Sequence, residues 1–200
     1  SVGLRIPNET LQANPTIASA LPTAQVNGQD LSECYVYASG YFYGTVRTAD
    51  VTIAGERAES MPLQIGGDLS KVPSDCSGLV QGAPEIDSPG SLGGNAIIGV
   101  MGNQADCGDA CATAGGQGNP RYFGCDSGGG SCSIVGVPIA QQVPHPVSAF
   151  GQDNNGFNIQ LPSIDDAAGA VSPSGTLTFG IGTQDDNDLA GGTDVYALDN

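Results

Sequence analysis

Apolar positions along this chain alternate over short runs and rarely recur at helical spacing. Val2, Leu4 and Ile6 alternate at the start, so residues 1–7 read as the end of a buried strand. The densest pattern runs from Cys34 to Gly55. There Tyr35, Tyr37, Tyr41, Tyr43, Val46, Val51 and Ile53 supply the aromatic and β-branched residues that strands favour. Ser39-Gly40 breaks the run as a hairpin tip does, and Ala54-Gly55 ends it, which predicts a β-hairpin passing into a further strand. Residues 61–66 read as another short strand, and Ala96-Ile-Ile-Gly-Val100 as a fully buried one. Phe157, Ile159 and Leu161 alternate, as do Leu177, Phe179 and Ile181, each set preceded by a turn at Asn154-Asn155-Gly156 or Pro173-Ser174-Gly175. Val195, Tyr196 and Leu198 begin a last strand. Residues 8–33 are polar and turn-rich, a loop with room for one short helix. Residues 138–143 suit a second, with Pro138 in its first turn and Pro144 and Pro146 stopping it. No internal repeat is evident at a fixed period.

Composition narrows this to an all-β fold with many turns and little helix. Glycine (31 residues) and proline (13) are heavily used, and charged residues are only 13% of the 200. A hydrophobic content of 39% is enough for a packed core. Acids outnumber bases 21 to 5, a formal charge of −16 that repels nucleic acid and anionic membranes. No run is long enough to span a bilayer and no signal peptide is visible. Because the first residues read as mid-strand, the chain reads as a fragment.

Cys34, Cys76, Cys107, Cys111, Cys125 and Cys132 are even in number and clustered, which points to three disulfides and an oxidising compartment: secreted, periplasmic or cell-surface. Proximity favours 107–111 and 125–132, leaving 34–76. The rival is a zinc site from Cys107, Cys111, Cys125 and Cys132, at a spacing looser than a zinc knuckle. Neither a metal nor a cofactor is expected.

Other candidate chemistry is thin. The single histidine, His145, sits between two prolines with no nucleophile motif beside it. Asp126-Ser127-Gly128 has the letters of an aspartic-peptidase triad, but no apolar strand is expected before it, and it reads as a disulfide-bounded turn. Asp185, Asp186, Asp188 and Asp194 concentrate carboxylates; without EF-hand spacing they read as a solvated acidic turn, with a Ca²⁺ loop as the alternative. Asn8-Glu9-Thr10 matches a glycosylation sequon. The tyrosine hairpin itself suits a lid over a cleft, or is an ordinary amphipathic hairpin on a β core.

The order of segments carries a resemblance. Tyr37-Ala-Ser-Gly-Tyr-Phe-Tyr-Gly44, followed by Asp50-Val-Thr-Ile-Ala-Gly55, resembles the flap of pepsin-like aspartic peptidases. Asn95-Ala-Ile-Ile-Gly-Val100 resembles the short strand that backs the first catalytic aspartate. Ser174-Gly-Thr-Leu-Thr-Phe-Gly180 resembles the strand before the crossover between lobes, and Ser1-Val-Gly-Leu-Arg-Ile6 the segment after the first Asp-Thr-Gly. More closely, the chain is similar to a bacterial family of exported, cysteine-containing pepsin-like proteins of unknown function. The matching stretches are residues 40–53, Asp106-Cys-Gly-Asp-Ala-Cys111, Gln141-Gln-Val-Pro-His-Pro-Val147 and Phe179-Gly-Ile-Gly-Thr183.

The resemblance implies a pepsin-like lobe of bent antiparallel sheets, with a flap hairpin and disulfide-stapled loops. Residues 1–183 would form the first lobe, and 184–200 the crossover and start of the second. It puts Tyr37 at the flap tyrosine that closes over substrate, Ser39 and Gly40 at the flap tip against substrate backbone, and Ser1 at the hydroxyl that bonds the first catalytic carboxylate. Ile97, Ile98 and Gly99 would support that aspartate from behind. Neither catalytic aspartate lies within the 200 residues. Two functions follow. One is a segment of an exported aspartic-peptidase-like protein, with a peptide or protein substrate and the rest of the same bilobal protein as partner. The other is a non-catalytic extracellular module that assembles with neighbouring chains through strand edges.

Overall fold

The computed structural model of this chain describes residues 2–79, 82–113, 121–164, 169–189 and 191–192. The expected strand at Val195, Tyr196 and Leu198 lies outside them.

The tyrosine-rich run folds as the centre of one sheet. Strand β1 (Gly3–Pro7) is followed by two short helices, α1 (Asn8–Gln12) and α2 (Pro15–Ala20), where one was expected. Pro15 opens the second, because its fixed φ and missing N–H suit a first helical position. Then come β2 (Gln25–Val26), β3 (Gln29–Tyr37), β4 (Gly40–Ile53) and β5 (Glu56–Gly66). Tyr37 pairs with Gly40, so the hairpin tip is Ala38-Ser39 and Gly40 already belongs to the returning strand. The hairpin and its expected following strand are one element. β4 runs through an irregularity between Ala49 and Val51 and turns at Ala54-Gly55, where φ is +51° and +98°. Two residues with positive φ are what a tight hairpin turn requires.

Two one-turn helices, α3 (Ser74–Ser77) and α4 (Pro89–Leu92), lead to β6 (Ile97–Gly99). Next come β7 (Arg121–Cys125) and β8 (Cys132–Ile134), then β9 (Phe157–Gln160) and β10 (Thr176–Phe179). The main sheet runs β6-β1-β5-β4-β3-β7-β8, with β2 on β3; β9 and β10 form a separate two-stranded ribbon. The fold is mostly β with little helix, as expected, but the sheet is mixed. β1 runs parallel to β5 and antiparallel to β6. A parallel neighbour requires a crossover, and the α1–β4 segment supplies it.

Three sequence expectations are corrected. Ala96–Val100 is not fully buried: Ile98 is 47% exposed, and among the described residues β6 pairs with β1 alone. The stretch before Asp126 is not loop but β7, whose Tyr122 and Phe123 are buried. The expected helix at 138–143 is a single 3₁₀ turn, Ile139–Gln141.

Strand alternation divides the core. Leu4, Leu63 and Ile65 face one side with Val147 and Phe150. Cys34, Tyr43, Phe123 and Cys125 pack with Cys76. Leu31, Val46 and Tyr122 face the other side, under Val137 and Val143. The cysteines pair as Cys34–Cys76, Cys107–Cys111 and Cys125–Cys132, the pairing that proximity favours, so the four later sulfurs form two disulfides instead of one metal site.

Candidate functional site

Gly3, Arg5 and Pro7 alternate against Val2, Leu4 and Ile6, so the side chain of Arg5 turns to the opposite face from the apolar set. Gly3 has φ +98°, and a Cβ there would run into Val143, which packs directly over it. Arg5 is level with Gln64 across the parallel pair, and Glu33 is level with Tyr122 across β3 and β7. Glu33, Tyr35 and Tyr37 share one face of β3 at a spacing of two. These alignments bring five polar side chains of distant sequence together under the hairpin.

Arg5 is the hub and is fully buried. Its Nη1 donates to Glu33 Oε2 at 2.8 Å and to Gln64 Oε1. Its Nη2 donates to Asp106 Oδ2 at 2.8 Å and to the Val2 carbonyl at 3.1 Å. The guanidinium carbon lies 4.0 Å from the centre of the Tyr35 ring, and that ring lies 4.9 Å from the Tyr37 ring. Tyr122 donates its hydroxyl to Asp106 Oδ1 at 2.8 Å and accepts from Val143 N at 2.7 Å. Gln64 Nε2 donates to the carbonyl of Glu33 at 2.6 Å. Arg5 Nε and Glu33 Oε1 are buried without a partner among the described residues.

The electrostatics follow from burial. Taking the Arg5 guanidinium out of water alone lowers its pKa, but the charges of Glu33 and Asp106 outweigh that and hold it above its ordinary value. Burial pushes the Glu33 carboxyl well above the usual carboxylate range, against the pull of Arg5, and the neighbouring Asp106 adds to the rise. The Tyr122 hydroxyl is likewise pushed up by burial and by Glu33 and Asp106.

The structure places the expected site residues as follows. Tyr37 is half-buried at the end of β3, Ser39 is exposed at the tip, and Gly40 is buried beside Pro84 and Ile86. Backbone bonds from Tyr41 N to Pro84 O (3.1 Å) and from Ile86 N to Tyr41 O (2.7 Å) tie the returning strand to the 84–86 segment. Gly99 is opposite Gly3, so β6 lies along β1. Ser1 lies outside the described residues. Asp126 is exposed in the turn between β7 and β8, its carboxylate accepting from Ser131 N at 2.8 Å. Asp185, Asp186 and Asp188 sit in an exposed turn, and Asp194 lies outside the described residues. Among the described residues no group of acidic, histidine or cysteine side chains is arranged to hold a metal ion.

His145 is buried and structural. Its Nδ1 accepts from Val147 N at 3.1 Å, its ring stacks on Phe157, and burial lowers its pKa. Ser148 donates to the backbone oxygens of His145 and Gln104, not to the ring.

Reading the sequence missed Arg5, Glu33, Gln64, Asp106 and Tyr122. One signal was present: Arg5 and Glu33 are charges inside otherwise apolar strand patterns, where an unpaired charge is too costly to keep. Their partnership spans 28 residues and that of Arg5 with Asp106 spans 101, which no local pattern encodes.

The family described as a protein of unknown function (DUF3443) matches residues 1–200, and the chain belongs to that family. Comparison with curated proteins and with solved structures found no match.

Proposed function

We propose that this member of the family is part of an exported aspartic-peptidase-like protein, with the tyrosine hairpin as its flap. In this reading residues 1–183 make most of the first lobe and 184–200 begin the passage to the second. The two catalytic carboxylates belong to segments flanking these residues, and a water held between them, with one proton shared, attacks a peptide carbonyl. The carrying observation is the placement of β1. It lies between parallel β5 and antiparallel β6, with Gly3 opposite Gly99, and its Arg5 contacts Tyr35 beside Tyr37. A carboxylate at the head of β1 would therefore share a strand with a residue that reaches the hairpin. Tyr37 then closes over substrate, Ser39 and Gly40 meet its backbone, and Ser1 bonds the first carboxylate.

The test uses the natural protein with its flanking segments. Cleavage of unfolded protein at acidic pH, blocked by pepstatin, is the expected result. Tyr37→Ala lowers kcat/KM by up to about 10²-fold, as loss of substrate positioning does. Finding no Asp-Thr/Ser-Gly on one side of the segment, or no pepstatin-sensitive cleavage, overturns the reading.

The ribbon of β9 and β10 favours a second one, a non-catalytic interaction module. Ile159, Leu161 and Leu177 are exposed on or beside it, and apolar residues gathered on an edge suit pairing with another chain. Concentration-dependent assembly that Leu177→Lys abolishes, in a protein without cleavage activity, is the outcome this second reading expects.

A further inference from the structure

We propose that the buried cluster of Arg5, Glu33 and Asp106 carries one proton, held on Glu33, and that losing it moves Tyr35 and Tyr37 through the Arg5 guanidinium. The cluster then makes the position of the hairpin depend on pH.

The argument begins with a charge balance. The side chains of Arg5, Glu33 and Asp106 are all at 0% exposure. One guanidinium facing two carboxylates leaves a buried charge of −1 if both are ionised, and uncompensated charge in an interior is strongly unfavourable. One proton on Glu33 makes the cluster neutral. Glu33 Oε1 is buried and has no hydrogen-bond partner among the described residues.

From β1 the group facing Glu33 is Arg5, from β5 the uncharged Gln64, from the 100–107 loop Asp106, and from β7 Tyr122. Tyr35 and Tyr37 belong to β3 itself. Tyr122 gives its hydroxyl proton to Asp106 and so has none for Glu33. Arg5 is the one cation facing Glu33 among these groups.

The path to the surface is short. When the proton leaves, the added negative charge draws the guanidinium toward the carboxylates. The guanidinium lies over Tyr35 and Tyr35 packs on Tyr37, next to the exposed tip at Ala38 and Ser39. The returning strand is held to the 84–86 segment, so displacement falls on the Tyr37 side of the tip. This device is independent of peptide cleavage and is measured on the chain alone, so its failure and failure of the peptidase reading are separate results.

The experiment is an NMR titration of the 200-residue chain, with labelled tyrosine rings and glutamate carboxyls, from about pH 4 to about pH 8. The ring signals of Tyr35 and Tyr37 should move with the same midpoint as the Glu33 carboxyl, while Tyr43 on the opposite face does not share it. Glu33→Gln should remove that midpoint and leave both rings at their acidic positions. Tyr35→Leu should keep the Glu33 midpoint and remove it from Tyr37, and it serves if Glu33→Gln does not fold. Ring signals that stay still while Glu33 titrates, or a midpoint that survives Glu33→Gln, overturn the proposal.

Discussion

The guanidinium of Arg5 lies against the ring of Tyr35 at 4.0 Å while it bonds Glu33 and Asp106. A residue of the first strand thus supports both the charge balance of the interior and the base of the hairpin. Arg5→Met keeps the volume and removes the charge, leaving two carboxyls buried without a cation. It should destabilise the fold by about 3–5 kcal/mol, read as a lower midpoint in urea unfolding. A loss below about 1 kcal/mol would show that the cluster is solvated and not a closed ionic site.

Stability should respond to pH through Glu33 in a sense opposite to ordinary acid unfolding. Burial raises its carboxyl well above the ordinary value of 4.5, so the folded state keeps a proton that the unfolded chain gives up. That contribution is complete below about pH 4.5 and is lost as pH rises through the raised folded value. His145 acts the other way: burial lowers its pKa, so stability is lost as pH falls below the ordinary histidine value of 6.5. Subtracting the urea midpoints of Glu33→Gln from those of the unaltered chain isolates the first effect. The substituted chain should be the more stable of the two at alkaline pH, and the gap should close on acidification.

The three disulfides should differ in worth. Cys34–Cys76 closes 42 residues and joins β3 to α3, and both cysteines are buried. Cys107–Cys111 closes only 4. By loop-closure entropy, removing the first costs about 4 kcal/mol and the second about 2 kcal/mol. Paired Cys→Ala variants compared by thermal unfolding would test the order, and equal losses would contradict it.

Gly3→Ala should cost more than a usual strand substitution. The residue sits at φ +98°, and the added methyl meets Val143, which shares a core group with Tyr122. A loss of about 2–3 kcal/mol is expected, from overpacking and backbone strain together. Val143→Ala on top of it should return only the steric part, since the strained φ remains.

Much of the architecture was legible because it rests on local patterns. Tyr35 to Tyr43 with Ser39-Gly40 between them, the Ala54-Gly55 turn and the Phe157 and Leu177 ribbons follow from alternation and turn chemistry acting within a few residues. Cysteine spacing carried the disulfides for the same reason, since short loops close most readily. Ile98 shows the limit: its apolar run suggested full burial, but burial depends on what lies beyond the strand, and among the described residues β6 pairs with β1 alone. β7 was hidden because Arg121–Cys125 is short and set among glycines, and it becomes a strand by pairing with β3.

By itself, the sequence determined that this protein is a β-rich, disulfide-closed, strongly acidic chain with a tyrosine hairpin at its centre. Composition, charge and short-range alternation are properties of the chain before it folds. Only the tertiary structure decided that β1 runs parallel to β5 and antiparallel to β6, and that Arg5, Glu33, Gln64, Asp106 and Tyr122 meet beneath that hairpin. These are long-range pairings, fixed by the sheet order and by the need to leave no buried charge without a partner.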